Sequence, residues 1–222
     1  MISGKFCFLI PARKNSKRLP NKHFLIFKKK PLIFHTFNSI NNLGINKQSY
    51  LSTNDEKIIN FSKKFKINTL FKRPNRLSRP KTETIDVILH FLKKLEKQNI
   101  KYEYLVLLQC TSPLRKDLTI KKACEYVIKN KLDSLVTVSE LPFNYKYLIQ
   151  SHKNIFLKKT LDMSLKNNTP IYFLNGAIFI AKIEKIKKHK SILFKTNNIY
   201  KMPFKESIDI DNSNDLNLAK LF

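Results

Sequence analysis

Apolar and polar positions alternate in blocks along the chain. Phe6 to Ile10 is a continuous apolar run, the pattern of a parallel strand buried on both faces. A basic loop follows from Pro11 to Phe24. Leu32, Ile33, Phe34, Phe37 and Ile40 then recur at helical spacing. Ser49 to Ser52 reads as a short second strand. The polar run Thr53-Asn54-Asp55-Glu56 can cap the next helix, whose stripe is Ile58, Ile59, Phe61 and Phe65. Thr84 to Leu95 predicts a third helix, and Tyr104 to Leu108 a central strand. Leu118 to Ile128 predicts a further helix and Ser134 to Val138 a further strand.

This βαβα order predicts an α/β fold with a doubly wound, mostly parallel sheet. The rhythm breaks after Leu141. Residues 142–170 are polar and irregular and are expected to form a small insertion. Ile171 to Ala181 is strand-like again. Ser207 to Asp211 is expected to be a strand running into a closing helix, Asp215 to Leu221. No repeat or low-complexity linker divides the chain, so residues 1–222 are expected to form a single domain.

Composition narrows the class. At 222 residues and 42% hydrophobic, the chain can bury a core without disulfides or a structural metal. Cys7, Cys110 and Cys124 are too few and too scattered for a disulfide framework or a zinc site, which favours a reducing, cytoplasmic setting. The run from Phe6 to Ile10 is too short for a signal peptide or a membrane span, so no membrane partner is expected. The formal charge of +27 attracts anions in general. The lysines are spread along the whole chain beside abundant Asn, Ile and Phe, as an AT-rich genome would produce. No basic and aromatic patch stands out, so nucleic acid is not the expected partner.

Ligands of open α/β sheets sit beyond the carboxyl ends of the strands, so the segments after each strand carry the chemistry. The first is Pro11-Ala12-Arg13-Lys14-Asn15-Ser16-Lys17-Arg18-Leu19-Pro20-Asn21-Lys22, with five cations in twelve residues. Its backbone N–H groups and cations suit phosphate oxygens, although it lacks the P-loop pattern. The second is Gln109 to Arg115, where Gln109 can bond a base or a sugar amide. The third holds Asp209 and Asp211, which alternation puts on one face. Two carboxylates beside phosphates suit Mg²⁺, whereas the same Asp211 could simply cap the closing helix.

These edges resemble the acylneuraminate cytidylyltransferases, also called CMP-sialic acid synthetases. The first loop is similar to their Ala-Arg-x-x-Ser-Lys-x-x-x-x-Lys signature, at Ala12, Arg13, Ser16, Lys17 and Lys22. Ser52 to Glu56, Arg73-Pro74 with Leu77 and Thr84 to His90, Gln109 to Arg115, Asn175 to Phe179, and Ile208 to Asp211 complete six blocks in order. The resemblance implies a fold of the nucleotide-diphosphosugar transferase type. It implies a reaction in which CMP passes from CTP to the anomeric hydroxyl of an acidic nine-carbon sugar, of the sialic or legionaminic type, and pyrophosphate leaves. It further implies that Ala12, Arg13, Asn15, Ser16 and Lys22 hold the triphosphate, with Arg73, Thr82 and Thr84 near the cytidine. Gln109 and Asn175 are implied at the sugar, and Asp209 and Asp211 at Mg²⁺; Arg13, Lys22, Asp209 and Asp211 are the implied catalytic set. A homodimer is implied, joined through residues 142–170, where Phe143, Tyr145, Tyr147 and Leu148 are apolar or aromatic.

Several positions depart from the family pattern. Asn15 stands where a Gly is frequent, His23 follows Lys22 in place of Asn, and Pro80 replaces a frequent Asp. The arginine that relatives supply from the insertion has no counterpart in 142–170, where Lys158 and Lys159 are the candidates. Three other readings compete. One is a pseudaminic acid or Kdo cytidylyltransferase. Another is a nucleotide-sugar glycosyltransferase, whose Asp-x-Asp normally lies mid-chain. The last is a basic nucleic-acid-binding protein.

Overall fold

Alternation along the central strands feeds two separate cores. On one face Phe6, Phe8 and Ile10 pack with Tyr104, Val106 and Leu108; on the other, Cys7 and Leu9 pack with Leu105 and Leu107. These strands, β1 (Phe6–Pro11) and β5 (Tyr104–Leu108), therefore need helices on both sides. The first face is covered by α1 (Leu32–Asn42), α2 (Glu56–Lys63) and α4 (Asp117–Lys129). The second is covered by α3 (Thr84–Lys97) and α5 (Ile183–His189). This is the doubly wound arrangement expected from the sequence. The structure is a computed structural model and describes residues 2, 4–14, 16, 18–142, 150–152, 155–157 and 171–222.

The main sheet has six strands. Besides β1 and β5 it contains β4 (Ser49–Ser52), β6 (Ser134–Glu140), β9 (Tyr172–Lys182) and β10 (Asn198–Lys201). Their order is β10-β6-β9-β5-β1-β4. β1 is parallel to both β4 and β5, and β6 is parallel to β10. Only β9 runs against its neighbours β5 and β6. Two small hairpins, β2–β3 (Ile26–Phe27 and Lys30–Pro31) and β7–β8 (Gln150–His152 and Ile155–Leu157), lie outside this sheet. Apart from β7–β8, the expected insertion and its Phe143, Tyr145, Tyr147, Leu148, Lys158 and Lys159 lie outside the described residues.

Most predicted elements appear within a few residues of their expected bounds. Asp55 caps α2 as its polar run suggests, accepting from the Lys57 N–H at 2.9 Å. The expected strand over 207–211 is a correction. Phe204–Ser207 is a single 3-10 turn begun by Pro203, and residues 208–211 are extended without joining the sheet. Their one backbone bond toward β5 runs from the Ile210 N–H to the Thr111 carbonyl, 2.7 Å. Thr111 already lies in the loop beyond β5, so no ladder is there to extend. Alternation survives because Ile208 and Ile210 are buried with Phe27, Leu32 and Ala219.

Several elements went unpredicted, among them the hairpins β2–β3 and β7–β8, the strand β10 and the helix α5. The hairpin β2–β3 turns on Lys28 and Lys29, both left-handed at φ 47° and 62°, where Asn-Gly is the usual signal. β10 is a four-residue edge strand with little apolar content, and α5 spans two turns.

The antiparallel β9 meets β6 through an irregularity between Val136 and Val138, opposite Gly176 at φ 72°. Side chains fill the interrupted ladder. Thr137 Oγ1 accepts from the Ile178 N–H at 3.0 Å and lies 2.7 Å from Asn175 Oδ1, which accepts from the Ala177 N–H at 3.1 Å. Beside it, the buried Arg115 guanidinium ties three segments together. It donates to the carbonyls of Gln109 (3.0 Å) and Ala177 (2.8 Å) and to Thr36 Oγ1 (3.0 Å). Replacing Arg115 by Met keeps bulk but orphans these acceptors. A loss of about 2–5 kcal/mol is expected, read as a lower urea midpoint with an unchanged slope.

Candidate active site

The carboxyl ends of β1, β4 and β5 open onto a cleft of about 310 Å³. β1 delivers Arg13, Ser16, Lys22 and His23; the segment after α2 delivers Arg73, and α3 begins with Thr84 at its edge. β5 delivers Gln109, Cys110 and Thr111, and the 208–211 segment delivers Asp209 and Asp211. The loop between is shaped by the strand ends. The Ala12 N–H donates to the Ser52 carbonyl at 2.9 Å, and the Lys14 N–H to Asn54 Oδ1 at 2.9 Å.

Nine of the residues read from the sequence converge on this one cleft: Arg13, Ser16, Lys22, Arg73, Thr82, Thr84, Gln109, Asp209 and Asp211. Ala12 is fully buried beneath it. Asn175 is placed differently. Besides serving the β9 irregularity, its amide donates to Ser207 Oγ at 2.8 Å, and it lines a neighbouring groove that shares Asp209. Its side chain thereby ties the sheet to the turn that leads into Asp209. Asn15 lies outside the described residues.

The two carboxylates have opposite surroundings. Burial raises the Asp209 carboxyl above the usual carboxylate range, with nearby Asp211 adding to the effect against Thr111 and Lys22. Its Oδ1 is buried with no hydrogen-bond partner among the described residues. Burial also pushes Asp211 upward, but Lys22, Arg18 and Arg13 outweigh it and hold Asp211 below the usual range. Lys22 Nζ lies 2.8 Å from Asp211 Oδ1, and Arg18 Nη2 lies 2.9 Å from Oδ2. Helix α6 (Ser213–Lys220) is capped by Asn212 and Asp215 in a reciprocal box. Asp211 is therefore free of the capping duty that its position in the sequence allowed.

Arg73 is buried and held by Ser52, donating Nε to its hydroxyl at 3.1 Å and Nη2 to its carbonyl. Burial, with help from Arg13, lowers its pKa to about 10, which still leaves it charged at neutral pH. His23 is also buried. Burial, then Lys22, pushes it down to about 4, so it sits neutral against the cleft.

Reading the sequence missed Arg79 and His23 as lining residues. One signal for the first was present. Only six of the 43 basic residues are arginine, and all six fall in or against this cleft. Arg13, Arg73 and Arg79 line it, Arg18 pairs with Asp211, and Arg115 holds Gln109 from behind. Arg76 lines a side groove that shares Leu77 and Thr82 with it. In a chain that otherwise uses lysine, arginine survives where a planar donor fork or a charge resistant to burial is required.

A cation-lined cleft at the strand ends of a doubly wound sheet with one reversed strand defines an α/β protein of the nucleotide-diphosphosugar transferase type. Within that class the chain belongs to the cytidylyltransferase family, whose model, described as Cytidylyltransferase, matches residues 7–202. It is 32% identical to the CMP-N,N'-diacetyllegionaminic acid synthase of Legionella pneumophila, over 96% of this chain and 93% of that protein. It is 31% identical to an N-acylneuraminate cytidylyltransferase of Streptococcus agalactiae serotype V, over 93% of this chain and 50% of that protein. The chain thus spans about half the length of the streptococcal relative. The pseudaminic acid cytidylyltransferase of Campylobacter jejuni is 27% identical over 96% and 94%. In fold, the chain matches a CMP:2-keto-3-deoxy-manno-octonic acid synthetase complexed with CTP at TM-score 0.69, with 12% identity and 98% of both chains covered. These matches favour the cytidylyltransferase reading over the nucleic-acid-binding and glycosyltransferase ones. Among the described residues no helix is long and apolar enough to cross a membrane.

The contrast between the carboxylates has a stability signature. Asp209 holds its proton more tightly folded than unfolded, so its ionisation costs stability as pH rises from the unfolded value through the raised folded one. Asp211 is the reverse: its contribution is present above the unfolded value and is lost as pH falls through the lowered folded one. At pH 7, Asp209→Asn is expected to raise the urea midpoint and Asp211→Asn to lower it. Denaturation of both variants against wild type from pH 3 to 8 checks the opposite signs.

Proposed function

We propose that this chain is a cytoplasmic, Mg²⁺-dependent cytidylyltransferase that couples CTP to an acidic nine-carbon sugar and acts as a homodimer. The observation that carries the reading is the meeting, in a member of this family, of Arg13, Ser16 and Lys22 with Asp209 and Asp211 across one cleft. The sugar's anomeric oxygen forms a bond to the α-phosphorus, the bond from that phosphorus to the bridging oxygen breaks, and pyrophosphate leaves. The hydroxyl proton passes to solvent water, directly or by way of the departing pyrophosphate. Such a step asks the protein for alignment and charge neutralisation.

Each residue then has a task. Arg13 can hold two phosphate oxygens with its planar fork, and Lys22, mostly buried, brings a point charge beside them. Thr82 and Thr84 offer hydroxyls on the nucleoside side, and Gln109 an amide on the sugar side. Asp209 and Asp211 fit a hard divalent cation. They are carboxylates on one side of an extended segment, and Asp209 Oδ1 has no other partner among the described residues. Phosphate oxygens and water would complete the shell of such an ion, as Mg²⁺ favours. When bound, the ion supplies positive charge at the phosphates and lowers the pKa of a coordinated hydroxyl.

The reading is checked by pyrophosphate release with CTP, UTP, ATP and GTP against a panel of sialic, legionaminic and pseudaminic acids and Kdo. Turnover is expected with CTP and a nine-carbon acid; equal turnover with UTP or GTP overturns the nucleotide assignment. Arg13→Ala is expected to lower catalytic efficiency by roughly ten- to a hundredfold, the worth of a charge-assisted phosphate contact. Lys187, exposed and paired with Glu96, is the control. Lys187→Ala is expected to change little, and a ratio near one between the two variants makes the loop ordinary surface. Light scattering at micromolar concentration is expected to give twice the chain mass.

A further inference from the structure

Among the described residues four cations line the cleft, and their commitments differ. Lys22 is paired with Asp211, which Arg18 also holds. Arg73 spends its guanidinium on the hydroxyl and carbonyl of Ser52. Arg13 gives one N–H to the Arg79 carbonyl at 3.3 Å. The Arg79 guanidinium alone of the four makes no hydrogen bond or ion pair among the described residues.

Arg79 is also held in place by its backbone. Its carbonyl accepts from the Thr82 N–H at 3.1 Å, closing a four-residue turn with Pro80 at the second position. Proline there fixes φ at the value a type I or II turn requires. Thr82 Oγ1 adds a bond to the Arg76 carbonyl at 3.2 Å, and the Leu77 N–H bonds the Pro74 carbonyl at 2.9 Å. The departure at Pro80 thus builds a stiff turn on the cleft wall. The same carbonyl that closes the turn receives Arg13, so the turn and the basic loop of β1 meet at this point.

Position along the sheet sets what Arg79 can touch. Arg73, a few residues before the turn, is tied to the end of β4, while the Asp209–Asp211 segment is tied to the loop after β5. β1 lies between them. The carboxylates and Gln109 lie on the β5 side of the cleft. Arg79 stands across β1 from them on the turn that also carries Thr82, and because its carbonyl receives the Arg13 guanidinium this turn adjoins whatever anionic group Arg13 holds.

We propose that Arg79, carried on the Pro80 turn, is a further ligand for the β- and γ-phosphates of the nucleotide and steadies the pyrophosphate as it leaves. This rests on the cleft being a nucleoside triphosphate site. The ionic contact of an exposed arginine is partly screened, so an effect of about tenfold is expected.

Binding of CTP, CMP and inorganic pyrophosphate to the full chain is measured by calorimetry with Mg²⁺ present, for wild type and Arg79→Ala. The variant is expected to keep the wild-type melting temperature, because the turn is held by backbone groups and by Thr82. CTP and pyrophosphate are expected to bind about tenfold more weakly, with CMP unchanged. Equal weakening of CMP and CTP places the contact at the nucleoside or α-phosphate and overturns the proposal, as does unaltered CTP binding or a fold lost with the side chain. A wild-type chain that bound no CTP would instead remove the cytidylyltransferase reading itself.

Discussion

The buried guanidinium of Arg115 joins the end of β5, the reversed strand β9 and helix α1 through two carbonyls and one hydroxyl. Both carbonyls sit where regular hydrogen bonding has stopped. Gln109 lies just beyond the β5 ladder, and Ala177 lies beside the β9 irregularity. A buried charge is tolerated here because its terminal N–H groups meet two backbone carbonyls and a hydroxyl, although its Nε–H has no partner among the described residues. Burial lowers its pKa to about 10, so it remains charged at neutral pH. The rest of the cleft hangs from this joint. Gln109 is held from behind, and the neighbouring Asn175 reaches through Ser207 to the turn that sets Asp209.

From that joint the electrostatics of the cleft can be followed outward. Asp209 is the costly residue, buried and raised, with an oxygen that has no partner among the described residues. Asp211, two residues on, is stabilised by Lys22 and Arg18. The pair is therefore not symmetric. One carboxylate is held by protein cations, and the other is buried with one oxygen unpartnered among the described residues. Such strain at a site, balanced by packing elsewhere, is the usual pattern where binding matters more than stability.

The charge of +27 has a divided meaning. Most of it is lysine on a solvated surface, where pairs such as Lys187–Glu96 contribute little. The arginines are a different population, because all six gather at the cleft. Composition favours lysine everywhere, so the positions that resisted it carry information. Burial would tend to neutralise a lysine at Arg73 or Arg115, since its pKa starts lower and shifts readily.

The sequence by itself determined the doubly wound class, because two-sided apolar strands such as Phe6 to Ile10 and Tyr104 to Leu108 need helices on both faces. It also determined which segments meet at one cleft, since loops after parallel strands share one edge of the sheet. Tertiary structure decided what depends on contacts distant in the chain. The reversal of β9, the left-handed Lys28 and Lys29 turn and the edge strand β10 have no local signal strong enough to read. The 208–211 segment looked like a strand because Ile208 and Ile210 alternate with Asp209 and Asp211, yet β5's ladder had ended and left it a single bond. Asn175 matched a motif as a candidate ligand, and only the fold shows its amide committed to Ala177 and Ser207. Arg79 was invisible for the opposite reason. Its role depends on a turn closed by Thr82 and a contact from Arg13, 66 residues away, and no local pattern encodes a meeting across that distance.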